Sequence, residues 1–234
     1  MRASRHQSAA VILACFLVIS CGGGGGSSSG STGSGPLVLT KADVAHGRGW
    51  TGSGVTVAVV DSGVDTDHPD LDANIVAGYD FYWDDSDPTP YGQGPFRSHG
   101  THVAGIIAAE NNGTGITGVA YDAKIMPLRI GPSSGISDPV YAGNAFDFAR
   151  ANGAYVINNS WGYKRSISGI FNGENAWFNA PLRAEDSSVT ADFATAAEAA
   201  VNAGMIVVFA AGNTKWNSAT GNVPVYRSSD NTLI

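Results

Sequence analysis

The sequence predicts an α/β domain built on a doubly wound parallel sheet with helices on both faces. Segments with the period of strands alternate with segments of helical period along the 234-residue chain. The first predicted strand, residues 55–60 (VTVAVV), is a nearly unbroken apolar run, as is typical of a strand buried on both faces. Gly153 and Gly204 each follow a predicted helix, at the position where a left-handed cap favours glycine.

The predicted elements follow one another in a regular order after a weak helical pattern at residues 41–49. The strands are expected at residues 55–60, 74–79, 124–130, 155–159 and 205–210, and the helices at 99–109, 138–152 and 188–203. Two further stretches, residues 80–98 and 161–186, fit neither period. We expect both to be surface loops near the functional edge of the sheet.

Composition and charge exclude several classes of protein. The chain is 43% apolar and 14% charged, which suits one globular domain with a core. Its formal net charge is −7, and basic residues cluster only at the extreme N-terminus, so no nucleic-acid partner is expected. The glycine-rich segment at residues 47–54 precedes a strand and does not follow one. It therefore does not predict a phosphate-binding loop, and no organic cofactor is expected.

The N-terminus predicts an export signal. Arg2 and Arg5 precede an apolar segment at residues 9–19, which is too short to span a bilayer comfortably. Residues 18–20 followed by Cys21 resemble a bacterial lipobox, and the resemblance implies cleavage before Cys21 and lipidation of that residue. Ordinary cleavage beside an incidental cysteine is the alternative.

A Gly/Ser-rich tether follows the predicted signal. We therefore divide the chain into a signal peptide at residues 1–20, a tether at 21–36 and a folded domain at 37–234. Cys15 would leave with the signal, so no disulfide is expected within one mature molecule. The expected location is the bacterial cell envelope, with the protein anchored to the membrane or the cell surface through Cys21, or released from it.

Three segments carry side chains that could contribute to catalysis, two as titratable groups and one as a hydrogen-bond donor. Asp61 follows the first predicted strand, at the edge where open α/β sheets bind their ligands. His99 lies in the segment SHGTHVAG, and Asn213 ends the segment GMIVVFAAGN. Alone, an Asp at a strand end or an Asn after Gly is more often a turn former. Their occurrence together favours a catalytic site.

In this order of acid, histidine and asparagine, the three segments resemble the subtilisin-like serine proteases over residues 50–213. The resemblance implies that Asp61 orients His99, that His99 is the general base, and that Asn213 donates to the oxyanion. His102 is the rival base, but the family pattern HGTH implies a packed structural role for it. The lipobox, the tether and the segment NNSWG are similar to those of the autotransporter branch of the family.

The resemblance also implies a substrate-binding segment at Ser160, Trp161 and Gly162. In the family this segment pairs its backbone with an extended protein or peptide substrate and lines the first specificity pocket. Trp161 stands where many relatives carry a smaller aliphatic residue. We expect its side chain to narrow a pocket upstream of the scissile bond.

A structural calcium site is a further implication of the family. Its ligands would be the Asp70 carboxylate, the Asn112 side chain, and the carbonyl oxygens of Glu110, Thr114 and Ile116. Oxygen ligands on a glycine-bearing loop suit Ca²⁺. The alternative is an ordinary turn at the end of a helix.

The family's nucleophilic serine lies in a GTSMA-like segment, and no Gly-Thr-Ser sequence occurs in the chain. We therefore expect the serine beyond Ile234, a sheet that is incomplete at its C-terminal side, and no hydrolytic activity in the fragment itself. The function predicted for the complete protein is that of a serine endopeptidase. The alternative is a catalytically inactive surface-binding protein on the same scaffold.

Overall fold

The computed structural model describes residues 35–94, 97–132, 139–161 and 187–210. The predicted signal peptide and the tether before residue 35, including Cys21, lie outside these ranges, as do Gly162 and Asn213. Within the described ranges, no helix combines the length and the apolar character needed to cross a membrane.

The described strands form one five-stranded parallel sheet. They are β1 Thr56–Asp61, β2 Tyr79–Asp80, β3 Lys124–Arg129, β4 Val156–Asn159 and β5 Ile206–Phe209. Their order across the sheet is β2-β3-β1-β4-β5, with every neighbouring pair parallel. The central position of β1 places Asp61 in the middle of the sheet's carboxyl edge.

The helices connect these strands, as the sequence predicts. They are α1 Pro36–Leu39, α2 Ala42–Gly47, α3 His99–Ala108, α4 Pro139–Ala151 and α5 Ser187–Asn202, with a 3₁₀ helix at Asp72–Asn74. The glycines after α4 and α5 are left-handed, with φ of 77° at Gly153 and 84° at Gly204. The prediction of glycine caps at these two positions is confirmed.

Helices cover both faces of the sheet, which confirms the doubly wound architecture. Val57 and Val59 of β1 pack into a core with α3, whereas Ala58 and Val60 pack into a second core with α4 and α5. Successive side chains of a strand point to opposite faces. Asp61 therefore belongs to the face that α3 covers.

The predicted strand at 74–79 is wrong over most of its length. Only Tyr79–Asp80 forms a strand, although Ile75 makes an isolated bridge to Ile125 of β3. The cause lies in the partner strand, because Pro127 of β3 has no backbone N–H to donate and so interrupts a ladder. The apolar pattern of 74–79 reflects burial against β3 without continuous pairing.

A buried ion pair joins the carboxyl ends of β2 and β3. The Arg129 guanidinium contacts the Asp80 carboxylate, and the two side chains are only 3% and 1% exposed. Asp80 also accepts the backbone N–H groups of Tyr82 and Trp83. The pair therefore fixes the start of the loop that follows β2.

Arg129→Leu should lower the free energy of unfolding by about 3 to 5 kcal/mol, because it leaves a carboxylate buried without its partner. Urea denaturation of the variant and the parent measures the difference. Arg150→Leu is the matched control, since its ion pair with Asp147 is exposed and should contribute less than about 1 kcal/mol. Equal losses in the two variants would contradict the assigned role of the buried pair.

Candidate active site

Asp61 is the last residue of β1 and is 1% exposed. Its Oδ1 accepts three hydrogen bonds: from the backbone N–H of Ser62 at 2.7 Å, from the Ser62 hydroxyl at 3.1 Å, and from Nδ1 of His99 at 2.8 Å. Its Oδ2 is buried and has no hydrogen-bond partner among the described residues. The three donors on one oxygen fix the carboxylate in the orientation that meets the imidazole.

The start of α3 approaches β1 closely enough to bring His99 to Asp61. A Cβ atom at Gly100 would lie 2.2 Å from the carbonyl oxygen of Gly63, so this approach requires glycine. The next residue, Thr101, accepts the backbone N–H of Asp65 through its hydroxyl at 2.9 Å. The segment SHGT thus joins the helix to the turn that follows the acid.

His99 is held in one tautomer by this contact. A carboxylate oxygen only accepts hydrogen bonds, so Nδ1 donates, and in the neutral ring Nε2 is the basic nitrogen. The hydrogen bond to Asp61 raises the pKa of His99 above its ordinary value. Burial of the ring lowers that pKa, and the charge of Asp61 raises it again, so the net shift is upward. The side chain remains 29% exposed, so the ring is accessible from solvent.

The raised pKa of His99 sets the expected pH dependence of catalysis. As the predicted general base, His99 must be neutral to accept a proton, so kcat/KM of the complete protein should rise with pH through a midpoint above about 6.5, the ordinary value for imidazole. A pH profile of kcat/KM tests the predicted midpoint, and a midpoint at or below 6.5 would contradict it.

The raised pKa of His99 also contributes to the stability of the fold. This contribution is fully present below the unfolded-state pKa and is lost as pH rises through the folded-state pKa.

The two histidines of α3 differ in their surroundings. His99 contacts Asp61, whereas the buried apolar face of the helix is formed by Val103, Ala104, Ile107 and Ala108. His102 is exposed. The expected packed role of His102 stays a prediction for the complete domain.

Ser160 and Trp161 lie directly after β4, at the same edge of the sheet as Asp61. The Ser160 hydroxyl accepts a hydrogen bond from the Asn158 amide at 2.9 Å. The Trp161 indole is half-buried, packs against the core on the α4 and α5 face, and donates to the Val60 carbonyl at 2.8 Å. Sequence reasoning missed this contact, and a pocket-narrowing role for Trp161 stays a prediction.

The five residues of the predicted calcium site come together beyond the other end of α3. The Asp70 Oδ2 accepts the N–H of Ile116 at 3.1 Å, and the Asp70 carbonyl accepts the N–H of Glu110 at 2.9 Å. The Asn112 side-chain oxygen accepts the N–H of Thr114 at 2.9 Å. The Asp70 Oδ1 is buried, and no described residue is its hydrogen-bond partner. No group of three His, Cys, Asp or Glu side chains in the described ranges is arranged to hold a metal ion, so backbone oxygens would have to supply most ligands.

Comparison with known proteins decides the family. Residues 52–233 match peptidase S8, the Subtilase family. The chain belongs to the Subtilase family. Subtilisin E of Bacillus subtilis is 36% identical over 183 residues, which are 78% of this chain and 40% of that protein. The predicted family is thereby confirmed.

Solved structures of other proteins agree with the fold. Sphericase aligns with a TM-score of 0.54 at 28% identity, over 71% of this chain and 48% of that one. Fervidolysin from Fervidobacterium pennivorans, described as a keratinolytic enzyme related to subtilisin, aligns with a TM-score of 0.50 at 31% identity, over 70% and 22%. The chain spans less than half the length of each of these three relatives.

Proposed function

We propose that the complete protein is a serine endopeptidase that hydrolyses protein or peptide substrates. Asp61 and His99 supply two members of its triad, Asn213 supplies an oxyanion donor, and the nucleophilic serine follows residue 234. The observation that carries this proposal is the 2.8 Å hydrogen bond between Asp61 and His99 at the central carboxyl edge of a subtilase sheet. The described residues supply a base and its orienting acid, which together activate an alcohol.

The proposed mechanism follows from the tautomer of His99. Nε2 takes the serine proton as the hydroxyl oxygen attacks the scissile carbonyl, and Asp61 stabilises the imidazolium that forms. His99 then donates this proton to the leaving amine. The Asn213 amide donates to the oxyanion of the tetrahedral intermediate, a contribution of about 10² to 10³ in kcat in subtilisin itself. Residues 160–162 hold the substrate in an extended conformation by pairing with its backbone.

A fluorophosphonate probe applied to the complete protein tests the proposal. The probe should label one serine in a Gly-Thr-Ser segment, and prior labelling should abolish hydrolysis of a chromogenic peptide. The 234-residue chain is the matched control, which should give neither signal because it contains no such segment. A folded complete protein that takes no label and cleaves no peptide would instead be the inactive surface-binding protein.

We also propose that Ca²⁺ binds between Asp70 and the loop at residues 110–116. A buried carboxylate oxygen without a partner is rare in a folded protein, and a cation at Oδ1 of Asp70 would satisfy it. The Asn112 side chain and the carbonyls of Glu110, Thr114 and Ile116 are oxygen donors of the type that calcium prefers. The ion would tie the turn after β1 to the segment that follows α3, and would have a structural role.

Removal of calcium should therefore lower the melting temperature of the complete protein. Ligand at about 100 times its Kd stabilises a fold by about 2.7 kcal/mol, which corresponds to roughly 5 to 10 °C in a domain of this size. Asp70→Asn should abolish the difference between calcium and EGTA, whereas Asp72→Asn, at an exposed position two residues away, should keep it. An equal response to EGTA in the parent and in Asp70→Asn would contradict the site.

Export and lipidation at Cys21 belong to the same proposal, and they place the protein in the bacterial cell envelope. They rest on the pattern of residues 1–20, in which basic residues precede an apolar segment. A fatty-acid analogue supplied to expressing cells should label the parent protein but not Cys21→Ser. Labelling of both proteins would exclude Cys21 as the anchor.

A further inference from the structure

The Trp161 indole bridges the ends of β4 and β1. Backbone pairing between these strands runs from Val57 with Val156 to Val59 with Asn158. The next residue of β1, Val60, accepts the indole N–H on its carbonyl at 2.8 Å, from a side chain 101 residues away in sequence. A side-chain donor thus extends the link between the two strands beyond the last paired residues.

This hydrogen bond acts on the peptide group that leads into Asp61. On the other side of β1, the Asp61 carbonyl accepts the N–H of Ile130 at 2.9 Å. The Asp61 side chain is held by Ser62 and His99. Trp161 packs with the core of the α4 and α5 face, opposite to the face on which His99 meets the acid. The end of β1 is therefore held from both sides of the sheet.

The indole is itself anchored by aromatic packing. Its ring centroid lies 6.0 Å from that of Phe193 in α5, and Phe193 makes an edge contact with Phe146 of α4 at 5.1 Å. Phe146 and Phe193 are fully buried. Because both helices support it, the indole N–H is presented to Val60 in a fixed direction.

We propose that Trp161 is a positioning residue that sets Asp61 against His99 through the Val60 carbonyl. The inference rests on the proposed endopeptidase function. Trp161 directly follows Ser160, so the segment proposed to bind substrate and the strand that carries the acid share one hydrogen bond. This role concerns the acid, and it differs from the predicted narrowing of a substrate pocket.

Trp161→Phe in the complete protein removes the indole N–H but keeps an aromatic ring at this position. We expect kcat to fall about five- to tenfold, the equivalent of one ordinary hydrogen bond, while KM changes less than twofold. The acid limb of the kcat/KM profile should move to lower pH, because a displaced Asp61 raises the pKa of His99 less. A benzothienylalanine at position 161 keeps the shape of the indole without the N–H. It should show the same changes in kcat and pH midpoint, and it therefore tests the hydrogen bond even if Trp161→Phe folds poorly.

Two controls separate positioning from stability. Phe193→Leu removes the supporting ring but leaves the N–H, so it should lower the melting temperature and move the pH midpoint less than either position-161 variant does. Trp83→Phe makes the same chemical change at an exposed tryptophan and should alter neither kcat nor the midpoint.

The inference is overturned if both position-161 variants keep the parent kcat and pH midpoint. It is equally overturned if their only effect is on subsite preference, which would assign Trp161 to a pocket. Failure of the proposed function is a separate result, since the parent protein would then take no fluorophosphonate label and hydrolyse no peptide.

Discussion

Replacement of His99 by alanine in the complete protein is expected to lower kcat by about 10⁶, the magnitude established for loss of the catalytic histidine in subtilisin. In the proposed mechanism, the imidazole accepts the proton of the attacking hydroxyl and later returns it to the leaving amine. An alanine at this position also leaves the Asp61 carboxylate without its 2.8 Å partner. KM should change little, because the base does not hold the substrate. Steady-state kinetics with a chromogenic peptide, normalised by active-site titration, measures both constants.

His102→Ala is the matched control for this prediction. It removes the same side chain from the same helix, at an exposed position where no bond to Asp61 is present. Turnover should stay within about tenfold of the parent value. A loss in His102→Ala as large as that in His99→Ala would show that the two histidines cannot be distinguished by their contact with Asp61.

Much of the fold is predictable because each element carries its own period. The apolar run of β1, the helical pattern of α4 and the glycines that follow α4 and α5 are local signals, and the structure confirms them. The failure at residues 74–79 has a non-local cause. The interruption of that strand depends on Pro127, which belongs to a partner about fifty residues further on. The hydrophobic pattern of residues 74–79 does not show that the neighbouring strand contains a proline, which lacks a backbone N–H.

The candidate site also contains features that the local sequence predicts and one that it does not. Asp61 and His99 are identifiable because their motifs also encode the packing that joins them, including Gly100 at the close approach of α3 to β1. The Trp161 hydrogen bond is not encoded locally, since it depends on which way the indole turns after β4. Resemblance placed this residue in a substrate pocket, whereas the contact with Val60 concerns the strand that carries the acid.

Asp61→Asn is expected to lower kcat by about 10⁴, a smaller loss than that of the base itself. The amide has two ways to fit, because Oδ1 accepts from both Ser62 and His99 while Oδ2 has no partner in the described part of the chain. With the oxygen kept at the Oδ1 position, the negative charge that stabilises the imidazolium is lost. With the amide turned, its NH₂ group faces Nδ1, so the proton moves to Nε2 and the ring cannot act as a base.

Both arrangements remove the hydrogen-bonded carboxylate that raises the pKa of His99, so the pH midpoint should fall along with kcat. Asp65→Asn is the control, because this acid lies in the same turn but meets α3 through its backbone N–H, which the substitution preserves. Its kcat and midpoint should equal those of the parent. Near-normal turnover in Asp61→Asn would remove this residue from the mechanism. A large loss of kcat at an unchanged midpoint would mean that the carboxylate acts on some group other than His99, since the hydrogen bond that orients the ring is also the one that shifts its pKa.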